Sequence, residues 1–300
     1  MDRGASMHWT HIRPFPAPSD RPSRRPRTAA SRPDGKARAH MDLGIEGRWA
    51  VVCASTAGLG FAAAEALATE GVNVVLNGRD TARLDAARDK LRTIAPAVEI
   101  RTVGADLDEV ATTDALLEAC AEPDIVITNN AGPRPATLRD ATPDDWSKGL
   151  SGNLFNHLRL IDRVVDGMQE RRFGRIVNIT SAMVSAPQSQ MTVSSAVRTA
   201  LTSVSKSLSH DLAPFGVTVN NVQPERIDTG RMRQIAQMVA DRRNITIEEA
   251  RADIASTIAA KRFGRPEELG ATVAFLCGAR SGYITGQSIR VDGGTYPGLL

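Results

Sequence analysis

From residue 48 onward, short runs of β-branched residues alternate with longer alanine-rich segments whose apolar positions recur at helical spacing. Unbroken Val/Ile runs suit strands buried on both faces, and the 3.6-residue periodicity between them suits helices that cover a parallel sheet. The pattern predicts strands at 49–54, 73–77, 99–103, 125–128, 175–179, 218–222 and 288–291. Helices are predicted at 61–70, 81–92, 110–121, 144–169, 193–212 and 267–276. The fold class that follows is α/β: a single doubly wound parallel sheet of about seven strands with helices on both faces. Residues 228–262 are helical in composition but interrupt the alternation, and are expected to form a lobe over the substrate.

Residues 1–40 show no such periodicity. They are rich in Arg and Pro, cannot bury enough apolar surface to offset ordering, and are expected to be disordered. They lack the apolar run of a secretory signal, and their Pro content argues against an organelle-targeting segment. Translation from Met41 is an equal alternative, in which case the extension is not part of the native protein.

Charge sharpens this division. The whole chain of 300 residues carries a net +3, but residues 1–40 hold nine basic against three acidic side chains, leaving 28 against 31 in the rest. The folded part is slightly acidic and has no nucleic-acid motif, so no specific nucleic-acid partner is expected. Apolar stretches are broken well before the ~18 residues of a membrane span. Cys53, Cys120 and Cys277 lie far apart with no metal-ligand spacing, which suggests buried thiols in a reducing cytosol and no metal site.

Candidate chemistry begins after the first strand, where Ala54-Ser55-Thr56-Ala57-Gly58-Leu59-Gly60 leads into a helix. Glycines there let backbone N–H groups approach a pyrophosphate, and the helix N-terminus favours negative charge, as in the Rossmann fold. A simple turn uses the same residues. The second strand ends in Leu76-Asn77-Gly78-Arg79 without the acid that holds an unphosphorylated ribose. Arg79 instead offers a bidentate partner for a 2′-phosphate, which favours NADP(H) with NAD(H) as the alternative. The other reading of Arg79 is an exposed residue of a surface turn.

At this point the chain resembles the short-chain dehydrogenase/reductase family, over about residues 43–295. The resemblance is carried by the glycine-rich turn, Asp106, the Asn129-Asn130-Ala131-Gly132 run, Asn153, Thr180-Ser181 and the Pro224-to-Thr229 segment. It continues through Tyr283-Ile284-Thr285-Gly286-Gln287 and Val291-Asp292-Gly293-Gly294. It implies that Asp106 sits near the adenine, that Asn130, Ala131 and Gly132 support the sheet beside the cofactor, and that Ile227 and Thr229 hold the nicotinamide carboxamide. Read singly, Asp106 and Asn130 are also good turn formers and Thr229 a good helix N-cap. Two positions depart from the family: Ala54 replaces its first loop glycine, tolerable if φ stays negative, and Glu225 replaces the glycine after Pro224, adding bulk and negative charge.

The family's catalytic pattern is a Ser that polarises the carbonyl, a Tyr about thirteen residues later that protonates it, and a Lys four further on. Here Ser181 takes the first place, Ser194 stands for the Tyr and Arg198 for the Lys. A serine hydroxyl is far less acidic than a phenol, and an arginine does not relay protons. A divergent branch of the family is similar at these positions, carrying Ser and Arg. The resemblance thus implies Asn153, Ser181, Ser194 and Arg198 as an electrophilic cradle, with Arg198 also on the nicotinamide ribose and the proton arriving through water. His157, four residues after Asn153 on the same helical face, is a further candidate, although a lone helical His is more often structural.

Three functions remain open in the sequence. The leading one is NADP(H)-dependent hydride transfer between a small-molecule carbonyl and its alcohol, 3-oxoacyl-reductase-like. The others are an NADP(H)-binding protein without hydride transfer and a non-redox lyase or isomerase. The resemblance also implies a homo-oligomer, a tetramer, with helices 144–169 and 193–212 at its interfaces.

Overall fold

Among residues 42–299, which the computed structural model describes, seven strands form one sheet. They are β1 (Trp49–Val52), β2 (Asn73–Gly78), β3 (Ile100–Gly104), β4 (Ile125–Thr128), β5 (Gly174–Ile179), β6 (Val217–Pro224) and β7 (Ser288–Val291). All pairings are parallel, in the order β3-β2-β1-β4-β5-β6-β7. The expectation for residues 1–40 falls outside the described residues.

Nine α-helices accompany these strands in the described residues: α1 (Gly58–Thr69), α2 (Thr81–Ile94), α3 (Ala111–Ala119), α4 (Pro143–Leu150), α5 (Asn156–Glu170), α6 (Thr192–Leu212), α7 (Gly230–Arg243), α8 (Ile247–Ser256) and α9 (Pro266–Cys277). The two-residue period of the strands sorts them into layers. Val52, Leu76 and Ile127 pack with Leu67 of α1, Leu91 of α2 and Leu269 of α9. Val51, Val75 and Val126 face the other way, onto Leu116 of α3 and Leu160 and Val164 of α5. Helices α1 and α9 touch at the backbone, since a Cβ on Gly270 would lie 2.4 Å from the Ala62 carbonyl oxygen.

Two expected elements change shape for physical reasons. The strand expected at 49–54 stops at Val52 because the chain turns sharply at Ala54. The helix expected at 144–169 is two helices joined by a π-helical turn, Ser151–Phe155. That turn frees the Gly152 carbonyl to accept from Asn130 Nδ2 at 2.8 Å. Segment 228–262 contains α7 and α8, and the Asp228 carboxylate clamps them together by accepting from both arms of Arg251 at 2.9 and 3.2 Å.

A buried polar layer stiffens the carboxyl ends of the central strands. Thr128 donates to Asn178 Oδ1, and Asn178 Nδ2 donates to Ser205 Oγ and Asn221 Oδ1. Every member is satisfied, so the layer fixes strand register without an unpaired group.

Candidate active site

The strand order reverses between β1 and β4, and open α/β sheets take ligands in the crevice beyond such a point. Two adjoining clefts open there. One, of about 330 Å³, is lined by Ala54, Thr56, Asn77, Arg79, Arg83 and Asp106. The other, of about 300 Å³, is lined by Asn130, Ala131, Gly132 and Asn153. Arg79, Asp106, Asn130 and Ala131 line both.

The glycine-rich turn is built from β1, β2 and β4 together. Ser55 is fully buried, and its hydroxyl donates to the Val52 carbonyl at 2.8 Å and accepts from the Asn77 amide at 3.0 Å. Its side chain therefore shapes the loop. Ala54 does not keep a negative φ, as the sequence suggested it should; φ is +45°. The turn is imposed from both sides: the Ala54 amide donates to Asn77 Oδ1 at 3.1 Å, and its carbonyl accepts from Asn129 Nδ2 at 3.2 Å. Holding an alanine there costs on the order of 1 kcal/mol.

Gly58 adopts φ +60°, and a Cβ on Gly60 would meet the Ala54 carbonyl oxygen at 2.4 Å. Leu59, between them, packs on the core. No side chain caps the start of α1 and its first turn holds no acid, so no side chain at the cap satisfies its first N–H groups. Across the loop, Thr229 lies within 3.7 Å of the position of a Gly58 Cβ. It occupies the N-cap of α7, as its structural alternative required, yet its side chain makes no capping bond.

At the end of β2, Arg79 is largely exposed and reaches Asp106 with 3.4 Å between Nη1 and Oδ2. Asp80 caps α2 through the Arg83 amide, and Arg83 lines the same cleft without an ion pair among the described residues. Arg83 escaped the sequence reading, although it stands four residues after Arg79 and one turn into a helix. So did Asn77, which also donates to the carbonyls of Val103 and Ala105 and thereby ties three strands to the loop.

Pro224 ends β6 and Ile227 is buried against Gly264, where a Cβ would stand 2.5 Å from Ile227 Cδ1. The negative charge expected from Glu225 is countered by Arg226 Nε at 3.5 Å.

The other end of the site gathers around Gly132. Arg198 is 7% exposed, and its Nη1 donates to the carbonyls of Ile179 and Thr180 at 3.1 and 2.8 Å. Its Nη2 reaches the Asn130 carbonyl at 3.5 Å and lies 3.5 Å from the position of a Gly132 Cβ, with Ser194 Oγ 3.9 Å from the same point. Asn153 Nδ2 donates to the Ala131 carbonyl at 3.3 Å. Ser181 Oγ accepts from the Met183 amide, which leaves its proton available to a substrate. The structure thus brings Asn153, Ser194 and Arg198 to one short stretch of main chain, with Ser181 directly after a carbonyl that Arg198 holds.

Burial lowers the Arg198 pKa to about 10, helped by the repulsion of Arg231, so the side chain remains a cation at neutral pH. Burial beside that cation pushes His157 down to about 3 and keeps it neutral. The thiols of Cys53 and Cys277 are pushed up to about 12 by burial, so neither serves as a nucleophile near neutrality. Neither tyrosine replaces the missing phenol: Tyr283 is fully exposed, and Tyr296 stacks on Arg290.

Comparison with known proteins agrees with this geometry. A family model described as "Enoyl-(Acyl carrier protein) reductase" matches residues 53–296. The NADPH-dependent reductase BacG of Bacillus subtilis is 30% identical over 252 residues, 83% of this chain and 97% of BacG. The L-sorbose reductase of Gluconobacter frateurii, solved with NADPH and L-sorbose, superimposes with a TM-score of 0.82 at 28% identity, covering 86% of this chain and all of that one. An NADPH-bound short chain oxidoreductase of Pseudomonas aeruginosa, described as containing an atypical catalytic center, gives a TM-score of 0.75 at 26% identity over 84% of this chain and 97% of the other. With its sheet order, its glycine-rich turn at the β1–β4 crevice and a family match over most of its length, the chain belongs to the short-chain dehydrogenase/reductase family.

Proposed function

We propose that this protein is an NADP(H)-dependent oxidoreductase that interconverts a small-molecule carbonyl and its alcohol. The observation that carries the reading is the pair of adjoining clefts at the switch point, one bearing Arg79 and Arg83, the other lined by Gly132 and Asn153 and backed by buried Arg198. The residues present fit the cofactor. The Gly60 position has no room for a side chain, the first N–H groups of α1 are uncapped, and the Thr229 hydroxyl is not spent on its own helix. The NADPH requirement in the name of BacG, and the NADPH in the sorbose reductase complex, support the same choice.

When bound, the nicotinamide supplies or accepts the hydride. The pyrophosphate would rest on the loop Ala54, Ser55, Thr56, Gly58, Leu59 and Gly60, a 2′-phosphate on Arg79 and Arg83, and the adenine near Asp106. Ser181 donates a hydrogen bond to the carbonyl oxygen. Arg198 supplies a fixed positive charge against the developing alkoxide and a contact to the ribose, while Ser194 adds a hydrogen bond. Neither Ser194 nor Arg198 gives up a proton near neutrality, so water delivers it. The rate should accordingly lack the limb of a tuned phenol and fall only where Arg198 loses its charge, near pH 10. We further propose a cytosolic homo-oligomer, in keeping with three buried free thiols and with Val204 exposed on α6.

Absorbance of the reduced nicotinamide, followed across a panel of carbonyls and alcohols with NADPH and NADH, tests the reading. Turnover of at least one carbonyl, faster with NADPH, is expected. Tight NADPH binding without turnover of any compound would favour the second reading, a binding protein, for which the missing phenol is the specific observation.

A further inference from the structure

The π-helical turn between α4 and α5 is gripped by a residue that the chemistry above does not use. A single π-turn inside α-helices is the rarer hydrogen-bond pattern, so contacts from outside the helix must select it. Here they come from two loops at the carboxyl ends of the strands. Asn130, after β4, donates from Nδ2 to the Gly152 carbonyl at 2.8 Å, while its Oδ1 accepts from the Ala131 amide at 2.8 Å. Asp108, after β3, accepts from Asn156 Nδ2 at 3.3 Å.

The chemistry of the neighbours fixes which way Asn156 points. It is buried, and Arg159 Nη1 donates to its Oδ1 at 3.0 Å. A guanidinium only donates and a carboxylate accepts, so the amide oxygen belongs to Arg159 and the amide nitrogen to Asp108. Between the two gripping side chains only a glycine fits. A Cβ on Gly152 would stand 2.7 Å from Asp108 Oδ1 and 3.0 Å from Asn130 Nδ2.

The grip bears on the cradle because Asn153 is the next residue. Its Nδ2 donates to the Ala131 carbonyl, and Arg198 Nη2 reaches the carbonyl of Asn130. Asn153 is thus anchored to the loop after β4 and Asn156 to the loop after β3. Tightening the turn to α-helical spacing would shift one against the other, so both could not keep their partners. Resting on the roles given above to Asn153 and Arg198, we propose that Asp108 is a positioning residue of this site: by holding Asn156 and closing over Gly152 it keeps the turn π-helical and Asn153 seated on Ala131.

The carboxylate of Asp108 also adds charge near the phosphate end, since Asp106, which pairs with Arg79, accepts from the Asp108 amide at 3.1 Å. Asp108→Asn and Asp108→Ala remove that charge alike, but only Asn keeps an oxygen for Asn156. NADPH affinity, read by fluorescence titration, should therefore shift equally in both. Turnover should split: Asp108→Ala is expected to lower kcat about tenfold with the carbonyl KM little changed, and Asp108→Asn to stay within about threefold of the parent, where a misplacement of about 1 Å costs up to about 10²-fold. Gly152→Ala, whose Cβ enters the grip, should lower kcat by a similar factor and add little to Asp108→Ala, because both disturb one contact.

Amide hydrogen exchange over residues 151–156 gives a readout that needs no substrate, and should be faster in Asp108→Ala than in Asp108→Asn. Parent-like kcat in Asp108→Ala, or equal losses in the Ala and Asn variants, overturns the proposal. So does equal exchange in the two. Should Asp108→Ala fail to fold, Gly152→Ala takes its place against Asp108→Asn, and parent-like kcat there overturns the proposal as well. If the parent turns over no carbonyl, the proposed function fails separately and exchange alone judges the grip.

Discussion

The two ends of the crevice hold their cations in opposite ways. At the end of β2, Arg79 is 71% exposed in its side chain and only loosely paired with Asp106. At the end of β5, Arg198 is nearly sealed, with carbonyls of Ile179, Thr180 and Asn130 around it. An exposed guanidinium costs little to keep charged, and it can turn from a carboxylate to an arriving phosphate. A buried one has lost its hydration and is held only because main-chain dipoles replace water, so it cannot reorganise when charge develops beside it. Capture of a ligand tolerates mobility, whereas stabilisation of an alkoxide does not.

The sharpest way to break that contrast is Arg198→Ala. It should impair NADPH binding and lower turnover together, the latter by on the order of 10²–10³-fold, because charge and ribose contact vanish at once. Single-turnover rates and NADPH titration would report it, and loss of either property alone would separate the two roles. Ser181→Ala should lower turnover by about 10²-fold with NADPH affinity intact, as expected of an oxyanion donor. Steady-state kinetics with parent-like turnover would remove Ser181 from the cradle.

At the other end the effects should be smaller. Arg79→Ala should cut the preference for NADPH over NADH by about tenfold, less than a buried phosphate contact because solvent screens it. Arg79→Ala with Arg83→Ala should abolish the preference, and titration with both nucleotides measures the change. Equal affinities in the parent would mean that neither Arg reads a phosphate.

Acid stability should also report on the sealed end. His157 is neutral in the native state down to about pH 3, whereas in the unfolded chain it takes up a proton near its ordinary value of 6.5. Between those values the unfolded state binds more protons, so stability falls on acidification by up to about 1.4 kcal/mol per pH unit. Denaturant unfolding from pH 7 to 4 should show this slope, and His157→Gln should flatten it. The smallest effect expected is a gain: Ala54→Gly should raise stability by about 0.5–1 kcal/mol, because glycine accepts the +45° φ without strain. A lower Tm would show that the loop is not strained.

Periodicity alone carried most of the architecture. The short apolar runs of β1, β2 and β4 suit strands covered on both faces, and alternation with amphipathic segments leaves few topologies besides a doubly wound sheet. The candidate chemistry at Ser181, Ser194 and Arg198 came from the resemblance to the family, whose catalytic pattern those positions match in spacing.

Other features needed the folded chain. The φ of Ala54 follows from two asparagines, Asn77 and Asn129, that lie 23 and 75 residues away in sequence. No local propensity encodes bonds of that separation. The π-helical turn at Ser151–Phe155 was invisible for the same reason: its 144–169 segment has ordinary helical periodicity, and only packing of Gly152 against Asn130 and Asp108 opens it. His157 shows the limit most plainly. The sequence placed it on the face of Asn153, but whether it is a charged surface group or a sealed neutral one depends on how much water the surrounding layers exclude. Burial and long-range hydrogen bonding are properties of the assembled layers, so the sequence determined which residues could meet, and tertiary packing decided their charge and conformation once they did.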